Sequence, residues 1–433
     1  MSTSLSKQAP SQALPVPSVI ESLAEFEIIA GGITAPSGFK AGGVHTGLKK
    51  RKKDLTLLCS ETAAHAAAVF TTNIVKAAPI IWSQQALHAQ RSSVKAIIIN
   101  SGNANACTGP QGIIHARQMA EVTAEALHCQ PQEVLVSSTG VIGVPLPIET
   151  ILNGMPTLLD SLGTDENAAL AAAEGIMTTD TCVKQAAVRV EIGGKWVTIG
   201  AMAKGSGMIH PNMATMLAFV TTDADISPEA LQIALRESVD ESYHMISVDG
   251  DTSTNDMVVL MANGQAGNPT ITGRTDTNYE IFRHALNLVN RTLAETIAKD
   301  GEGATKFLTA QVTSAGSKSQ ARALAKAIVS STLVKAAFYG ADANWGRIIS
   351  SMGATGVPFD PSRVSLSLVS TAGGILMLEK GEPLPFDEEY GRKVLEERDI
   401  EIRVELHAGA SSATAWGCDL THDYVSINSS YRS

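Results

Sequence analysis

The sequence is short of most residue types that announce a function. Only 5 of its 433 residues are cysteine (Cys59, Cys107, Cys129, Cys182 and Cys418), an odd number with no C-x-x-C and no close pair. That pattern excludes a disulfide framework and a zinc cage and reads as reduced thiols in a cytoplasmic protein. The 10 histidines form no H-E-x-x-H and no Cys/His cluster, so no metal is expected. Basic residues are outnumbered, 33 Lys and Arg against 43 Asp and Glu, a net charge of −10. Such a chain has no global positive field for nucleic acid or anionic lipid, and neither is expected as a partner. No apolar run approaches the ~20 residues of a membrane span. Residues 1–25, rich in Ser, Gln and Pro, lack an apolar targeting segment and any arginine, and read as a disordered tail. Charge at 18% and aromatics at 4% leave a chain built on small apolar residues, 44% hydrophobic in all, which suits a folded enzyme and not a disordered or fibrous protein.

What is present is an interspersion of short β-branched runs with amphipathic stretches. Strands are expected at 55–60, 66–71, 94–100, 133–138, 187–192, 196–203, 216–221, 256–261, 307–313, 364–370, 400–407 and 424–428. Helices are expected at 113–128, 149–162, 167–176, 228–242, 279–299, 319–331, 342–352 and 387–398. Mixing to both ends implies an α+β architecture of layered sheets flanked by helices. Two soft breaks interrupt it. The run Lys49-Lys-Arg-Lys-Lys53 reads as a solvated hairpin edge. The turn-rich stretch 263–277 reads as a domain boundary or a long hairpin loop.

The densest chemical signal is Lys204-Gly-Ser-Gly-Met-Ile-His-Pro-Asn-Met-Ala-Thr-Met-Leu-Ala-Phe219. Its glycines permit close backbone approach, yet the third glycine of a dinucleotide fingerprint is missing and Lys204 precedes the loop, so it is neither a Rossmann turn nor a P-loop. Thr215 stands where this loop enters an apolar strand, and no G-x-S-x-G elbow is nearby to supply another nucleophile. A threonine can be activated by its own α-amine, but only if that amine is free. Here it is bonded to Ala214. Such chemistry therefore requires a cut first: attack by the Thr215 hydroxyl on the Ala214 carbonyl, an N-to-O shift, and hydrolysis into pieces of 214 and 219 residues. On residues alone, a β-branched residue opening a strand explains Thr215 as well.

Five strings change that balance: Met177-Thr-Thr-Asp-Thr181, Met202 to Leu217 (M-A-K-G-S-G-M-I-H-P-N-M-A-T-M-L), Asp300-Gly-Glu-Gly-Ala-Thr-Lys306, Gly340-Ala-Asp-Ala-Asn-Trp-Gly-Arg347 and Tyr424-Val-Ser-Ile-Asn428. In this order and spacing the chain, from about Gly31 to its end, resembles the ornithine acetyltransferase family, also called glutamate N-acetyltransferases. The resemblance implies a self-cleaved fold with an α chain of residues 26–214 and a β chain of 215–433 that begins with the nucleophile. It implies transfer of an acetyl group from N2-acetylornithine to glutamate through an acetyl-threonine ester in arginine biosynthesis. It also implies an α2β2 heterotetramer. No cofactor is expected; whether acetyl-CoA serves as a second acyl donor is left open by the sequence.

Site residues carry over position by position. Thr139 and Gly140, in Glu133-Val-Leu-Val-Ser-Ser-Thr-Gly140, map to the oxyanion hole, although T-G after a strand is by itself an ordinary turn. Lys204 maps to the substrate carboxylate, where the bland reading is a solvated lysine. Thr178 maps to a substrate contact, with Thr179 beside it as a rival. Glu302, in a turn expected to expose its carboxylate, maps to substrate and the freed threonine amine. Asn428, on a closing strand, and the terminal Ser433 map to further substrate contacts; many relatives end in threonine. The loop Asn100-Ser-Gly-Asn-Ala-Asn-Ala-Cys-Thr-Gly109 receives no chemical step, its Asn and Gly reading as left-handed turns and Cys107 as a turn thiol. Two competing functions are a self-processing amidase or aminopeptidase, in which water replaces glutamate, and an uncleaved metabolite-binding relative. The intact K-G-S-G, T-G and A-T-M-L strings argue against the latter.

Overall fold

The computed structural model describes residues 26–210 and 216–430. The tail 1–25, the Ala214–Thr215 junction and Ser433 lie outside the described residues. The strands in chain order are β1 (Phe26–Ile28), β2 (Phe39–Val44), β3 (Leu55–Phe70), β4 (Val94–Asn103), β5 (Val134–Val141), β6 (Lys184–Ile192), β7 (Lys195–Lys204), β8 (Leu217–Thr222), β9 (Ile246–Ser247), β10 (Met257–Ala262), β11 (Phe307–Ala315), β12 (Ser365–Ser370), β13 (Gly373–Glu379), β14 (Glu382–Pro383), β15 (Asp399–Glu405) and β16 (Ser411–Cys418). The helices are α1 (Ala78–Gln90), α2 (Gly109–Leu127), α3 (Ile148–Asp160), α4 (Glu166–Ile176), α5 (Pro228–Glu241), α6 (Thr277–Lys299), α7 (Lys318–Ser330), α8 (Thr332–Tyr339), α9 (Trp345–Gly353), α10 (Glu388–Glu396) and α11 (His422–Ser430).

Nine strands form the first sheet, in the order β1-β6-β7-β8-β10-β3-β4-β5 with β2 on β3, and seven form the second, β14-β13-β12-β15-β11-β16-β9. The expected α+β layering is therefore observed. One apolar core runs from β6, β7 and β8 through α5 and α6 to the second sheet, joining residues such as Val188, Ile199, Leu235, Phe282, Val289, Leu308 and Ile402. Two further clusters cover the rest of the first sheet with α1 and α4 and with α2 and α3. α6 shows why: its side chains Phe282, Leu286, Val289, Leu293 and Ile297 recur at helical spacing and are all buried, and Asp276 caps its first turn through the Asn278 N–H. Truncating Phe282 to alanine removes one such anchor, a change that costs about 3–5 kcal/mol in a packed core.

β8 and β10 pair in parallel and are buried at every position, so they read as continuous apolar runs instead of alternating ones. β7 and β8 are antiparallel neighbours, with Lys204 opposite Leu217. The first sheet thus takes strands from both sides of the expected cleavage point, and a cut there divides the chain without dividing the sheet.

Several expectations need correction. Segments 55–60 and 66–71 are one 16-residue strand, β3, whose irregularity between Cys59 and Ala64 lets its first half pair β2 and β4 and its second half β10. The 424–428 strand is instead part of helix α11. Tyr424-Val-Ser-Ile-Asn alternates as a strand does, but Thr421 accepts the Tyr424 N–H at the helix start and Asn428 bonds back to the Tyr424 carbonyl. Stretch 263–277 is neither a boundary nor a hairpin: it carries β10 into α6, held by Asn268 to Asp225 and by an Ile271–Ile226 bridge. The basic run does sit in the β2–β3 hairpin loop, yet Lys49 is turned inward, its Nζ 2.9 Å from the Met177 carbonyl. Helices α1 and α8 and strands β2, β13 and β16 were not foreseen, because their small and contiguous apolar residues show neither period clearly.

Candidate active site

The first sheet ends at a cleft of about 120 Å³ lined by Ala104, Thr139, Gly140, Ile142, Thr178, Thr179, Lys204, Gly207, Met208, Met216, Leu217, Ser253, Asn255, Asp256, Glu302 and Asn428. Six of the residues singled out from sequence, which span 290 positions of the chain, meet here. Met216, the next residue after Thr215, also lines it.

Thr139 and Gly140 reach the cleft because β5 runs parallel to β4 and both strands end there, Ser101 opposite Thr139 and Gly102 opposite Gly140. Gly140 has φ of +132°, and a Cβ on it would stand 2.3 Å from the Gly102 carbonyl carbon, so only glycine permits this approach of the two strands. Positive φ at Gly102, near the end of β4, and left-handed turns at Asn105, Cys107 and Gly109 shape the passage from β4 into α2, as the sequence implied. Its asparagines fasten it: Asn100 Oδ1 accepts from Ser138 Oγ at 2.5 Å, and Asn103 Nδ2 donates to the Val144 carbonyl at 3.1 Å. Cys107 is exposed and does not line the cleft.

Lys204 closes β7 with 8% of its surface exposed, not a solvated lysine. Its Nζ donates a long 3.4 Å hydrogen bond to Thr139 Oγ1. Because the threonine oxygen accepts here, its own O–H remains available to donate toward the cleft. Burial pushes the Lys204 pKa down against the pull of Asp180, and Lys184 adds to the depression while Asp256 and Glu302 oppose it.

Beneath Lys204 lies a buried ionic cluster that no motif or spacing in the chain announces. Lys184 Nζ donates to Asp180 Oδ1 at 2.8 Å and to Asp300 Oδ2 at 2.5 Å, with essentially no solvent contact. Asp180 also accepts the Thr178 and Gly205 N–H groups at 2.9 and 2.7 Å, while Asp300 accepts from Thr181 and its carbonyl accepts from Ser206 Oγ. Burial acts to raise the Asp180 pKa, but Lys184, Lys204 and these hydrogen bonds outweigh it and hold the carboxyl well below the usual range. Lys184 is raised: burial lowers it, and the two carboxylates more than compensate. One ammonium thereby ties together the segments that carry Thr178, the glycine loop and Glu302.

Glu302 is buried, contrary to the expectation of an exposed carboxylate. Its N–H donates to the Ser206 carbonyl, and Gly207 passes so near that a Cβ there would fall 2.2 Å from the carboxylate. Asn428 Nδ2 donates to Glu302 Oε2 at 2.7 Å, which brings α11 over the cleft. Asp249 holds the far side of the glycine loop, accepting the Met208 and Ile209 N–H groups, and Tyr424 OH donates to the same carboxylate at 3.2 Å. His210, next in the loop, has its pKa pushed down to about 4 by burial and by Lys326 and Lys335, so it is neutral at pH 7 beside Ser247 Oγ.

Thr178 and Thr179 both line the cleft. Ser253, Asn255 and Asp256 were missed; their only signal was a polar run before an apolar strand. Asn255 Nδ2 bridges the Ala104 and Ser138 carbonyls at 2.6 and 2.9 Å and so fixes the end of β10 to the ends of β4 and β5. The string 342–347 lies elsewhere, where Asn344 caps α9 and Arg347 bonds the Leu333 carbonyl. Among the described residues no group of three or more His, Cys, Asp or Glu could hold a metal, and no helix is long and apolar enough to cross a membrane.

Compared with known proteins, residues 40–433 match the ArgJ family. The arginine biosynthesis bifunctional protein ArgJ of Symbiobacterium thermophilum is 52% identical over 411 residues, 94% of this chain and 100% of that one. Its namesake in Thermotoga neapolitana is 51% identical over 398 residues, 92% of this chain and 99% of that one. Among solved structures, ornithine acetyltransferase from Mycobacterium tuberculosis, complexed with ornithine, is 39% identical, covers 44% of this chain and 100% of its own, and superposes with a TM-score of 0.40. The full-length identity to relatives that align end to end, with the strings that meet in the cleft, makes this chain a member of the ArgJ family.

Proposed function

We propose that the protein is a glutamate N-acetyltransferase that moves the acetyl group of N2-acetylornithine to glutamate, giving ornithine and N-acetylglutamate. The observation that carries this reading is the single cleft in which Thr139, Gly140, Thr178, Lys204, Glu302 and Asn428 converge beside Met216. Thr215 first attacks the Ala214 carbonyl. The C–N bond breaks as the ester forms, and water opens that ester to an Ala214 carboxylate and a free Thr215 amine. That amine then takes the Thr215 hydroxyl proton as the oxygen attacks the acetyl carbonyl of acetylornithine. The ornithine amine leaves with a proton; the glutamate amine then attacks the acetyl-threonine ester, the C–O bond to Thr215 breaks, and a proton from that amine restores the Thr215 hydroxyl as N-acetylglutamate departs.

Each tetrahedral intermediate carries an oxyanion, for which the Thr139 O–H and Gly140 N–H are the donors. Lys204 is suited to a substrate α-carboxylate, since it is enclosed and only weakly satisfied by Thr139. Thr178, Glu302, Asn428 and Ser433 complete the substrate contacts, the Glu302 carboxylate facing an ammonium. The relatives' designation as bifunctional supports a second activity, in which acetyl-CoA acylates Thr215 in place of acetylornithine. Cleaved α (26–214) and β (215–433) chains that share one sheet, paired as α2β2 in the cytoplasm, complete the reading.

Denaturing mass spectrometry with an assay tests it. Wild-type protein should yield fragments of 214 and 219 residues and an acetyl adduct on the second, with ping-pong kinetics; Thr215→Ala should remain one inactive chain. Normal fragments from Thr215→Ala would overturn the mechanism, and hydrolysis of acetylornithine without transfer would favour an amidase.

A further inference from the structure

We infer that the hairpin loop bearing Lys50, Arg51 and Lys52 binds the phosphates of the coenzyme-A thioester that feeds the cleft. This rests on the reading of acetyl-CoA as second acyl donor. A chain of net charge −10 repels a polyanion on average, so a phosphate-bearing donor needs a local cationic landing site. The β2–β3 loop offers one of fixed shape. Asp54, fully buried, accepts the N–H groups of Thr46, Gly47 and Lys49 at 2.7, 3.1 and 3.0 Å and the Thr46 hydroxyl at 2.8 Å, and His45 Nδ1 lies 3.1 Å away. At the ends of the basic run, Lys49 turns in to Met177 and Lys53 pairs with Glu174 at 2.8 Å. The three cations between them are exposed, and none makes an ion pair among the described residues.

The loop also stands beside the reaction site. Met177, bonded by Lys49, precedes the cleft residues Thr178 and Thr179. The Lys49 stem packs on Gly102, whose partner across the β4–β5 ladder is Gly140. Two exposed apolar side chains follow β5 at the cleft: Ile142 lines it with 38% of its surface exposed, and Val144, 47% exposed, accepts through its carbonyl from Asn103, the neighbour of Gly102. On this inference a thioester seated at Thr139 and Gly140 lays its pantetheine arm along Ile142 and Val144 and brings its diphosphate and ribose phosphate to Lys50, Arg51 and Lys52.

The test is the triple variant Lys50→Ser/Arg51→Ser/Lys52→Ser in the full chain, assayed with three donors: acetyl-CoA, S-acetyl-N-acetylcysteamine, which keeps the thioester but has no phosphate, and acetylornithine. Loss of three exposed charge contacts should raise KM for acetyl-CoA roughly tenfold or more. KM for the other two donors should stay unchanged, and the rise of the acetyl-CoA KM with ionic strength should flatten. Equal acetyl-CoA KM in variant and wild type would overturn the loop assignment while leaving the second donor standing. Wild-type protein that neither turns over acetyl-CoA nor binds coenzyme A by calorimetry would remove the second donor, and this inference with it.

Discussion

Lys184 and Lys204 lie on neighbouring antiparallel strands, β6 and β7, and are exposed by only 1% and 8%. Their surroundings differ in one respect. Lys184 has two carboxylates within hydrogen-bond distance, whereas Lys204 has a threonine hydroxyl at 3.4 Å and carboxylates acting only from further away. The first ammonium is held above its ordinary pKa and the second below it. A fully paired buried cation joins segments of structure; a buried cation left under-paired is free energy held back for an anionic ligand. On the proposed function the two lysines divide the work of the cleft between holding it together and binding in it.

The most severe way to break this contrast is Lys184→Met, which leaves Asp180 and Asp300 buried without their cation. It should cost about 3–5 kcal/mol in urea unfolding, and adding Asp300→Asn should recover part of the loss. A cost below about 1 kcal/mol would show the cluster to be dispensable. The sign of the pH dependence follows. Stabilisation from Lys184 is fully present below the ordinary lysine pKa and is lost as pH rises through its raised folded value. That from Asp180 is present above the ordinary carboxylate range and is lost as pH falls through its depressed value.

Next in size is Thr139→Ala, which removes the partner of Lys204 and the proposed oxyanion donor together. Turnover should fall about a hundredfold with little change in KM, because the lost donor acts on charge present only in the transition state. Unchanged kcat in fully processed variant would strike Thr139 from the machinery.

Lys204→Met should be smaller in kcat but should raise KM for acetylornithine and glutamate about tenfold or more, the worth of one charge-assisted hydrogen bond, while leaving unfolding free energy intact or improved. In wild type the same KM values should climb with pH before the ordinary lysine value of 10.5 is reached, since the lowered folded pKa discharges Lys204 early. A KM flat through that range would mean that the substrate carboxylate is held elsewhere. The depressed value also makes Lys204 a net cost to folding, one that eases as pH rises from its folded to its unfolded pKa.

The smallest change is Asn428→Ala. It deletes the 2.7 Å bond to Glu302 but leaves the Tyr424–Asp249 bond that fastens α11 to the glycine loop. A rise in KM of about two- to fivefold, in line with one net hydrogen bond, and no change in stability are expected. A stability loss without a KM change would make α11 a structural cover only.

Local sequence alone determined the long amphipathic helix α6, the buried strands β8 and β10 and the left-handed turns after β4, because spacing, caps and glycine act within a few residues. Motif strings likewise marked Thr139, Gly140, Thr178, Lys204, Glu302 and Asn428 as candidates. Only the tertiary structure decided that Glu302 is buried against Gly207, that α11 is a helix whose Asn428 reaches Glu302 across 126 residues, and that Lys184 bridges Asp180 and Asp300. These depend on strand pairing and on which charges share a low-dielectric interior, and neither is encoded in the neighbours of any one residue.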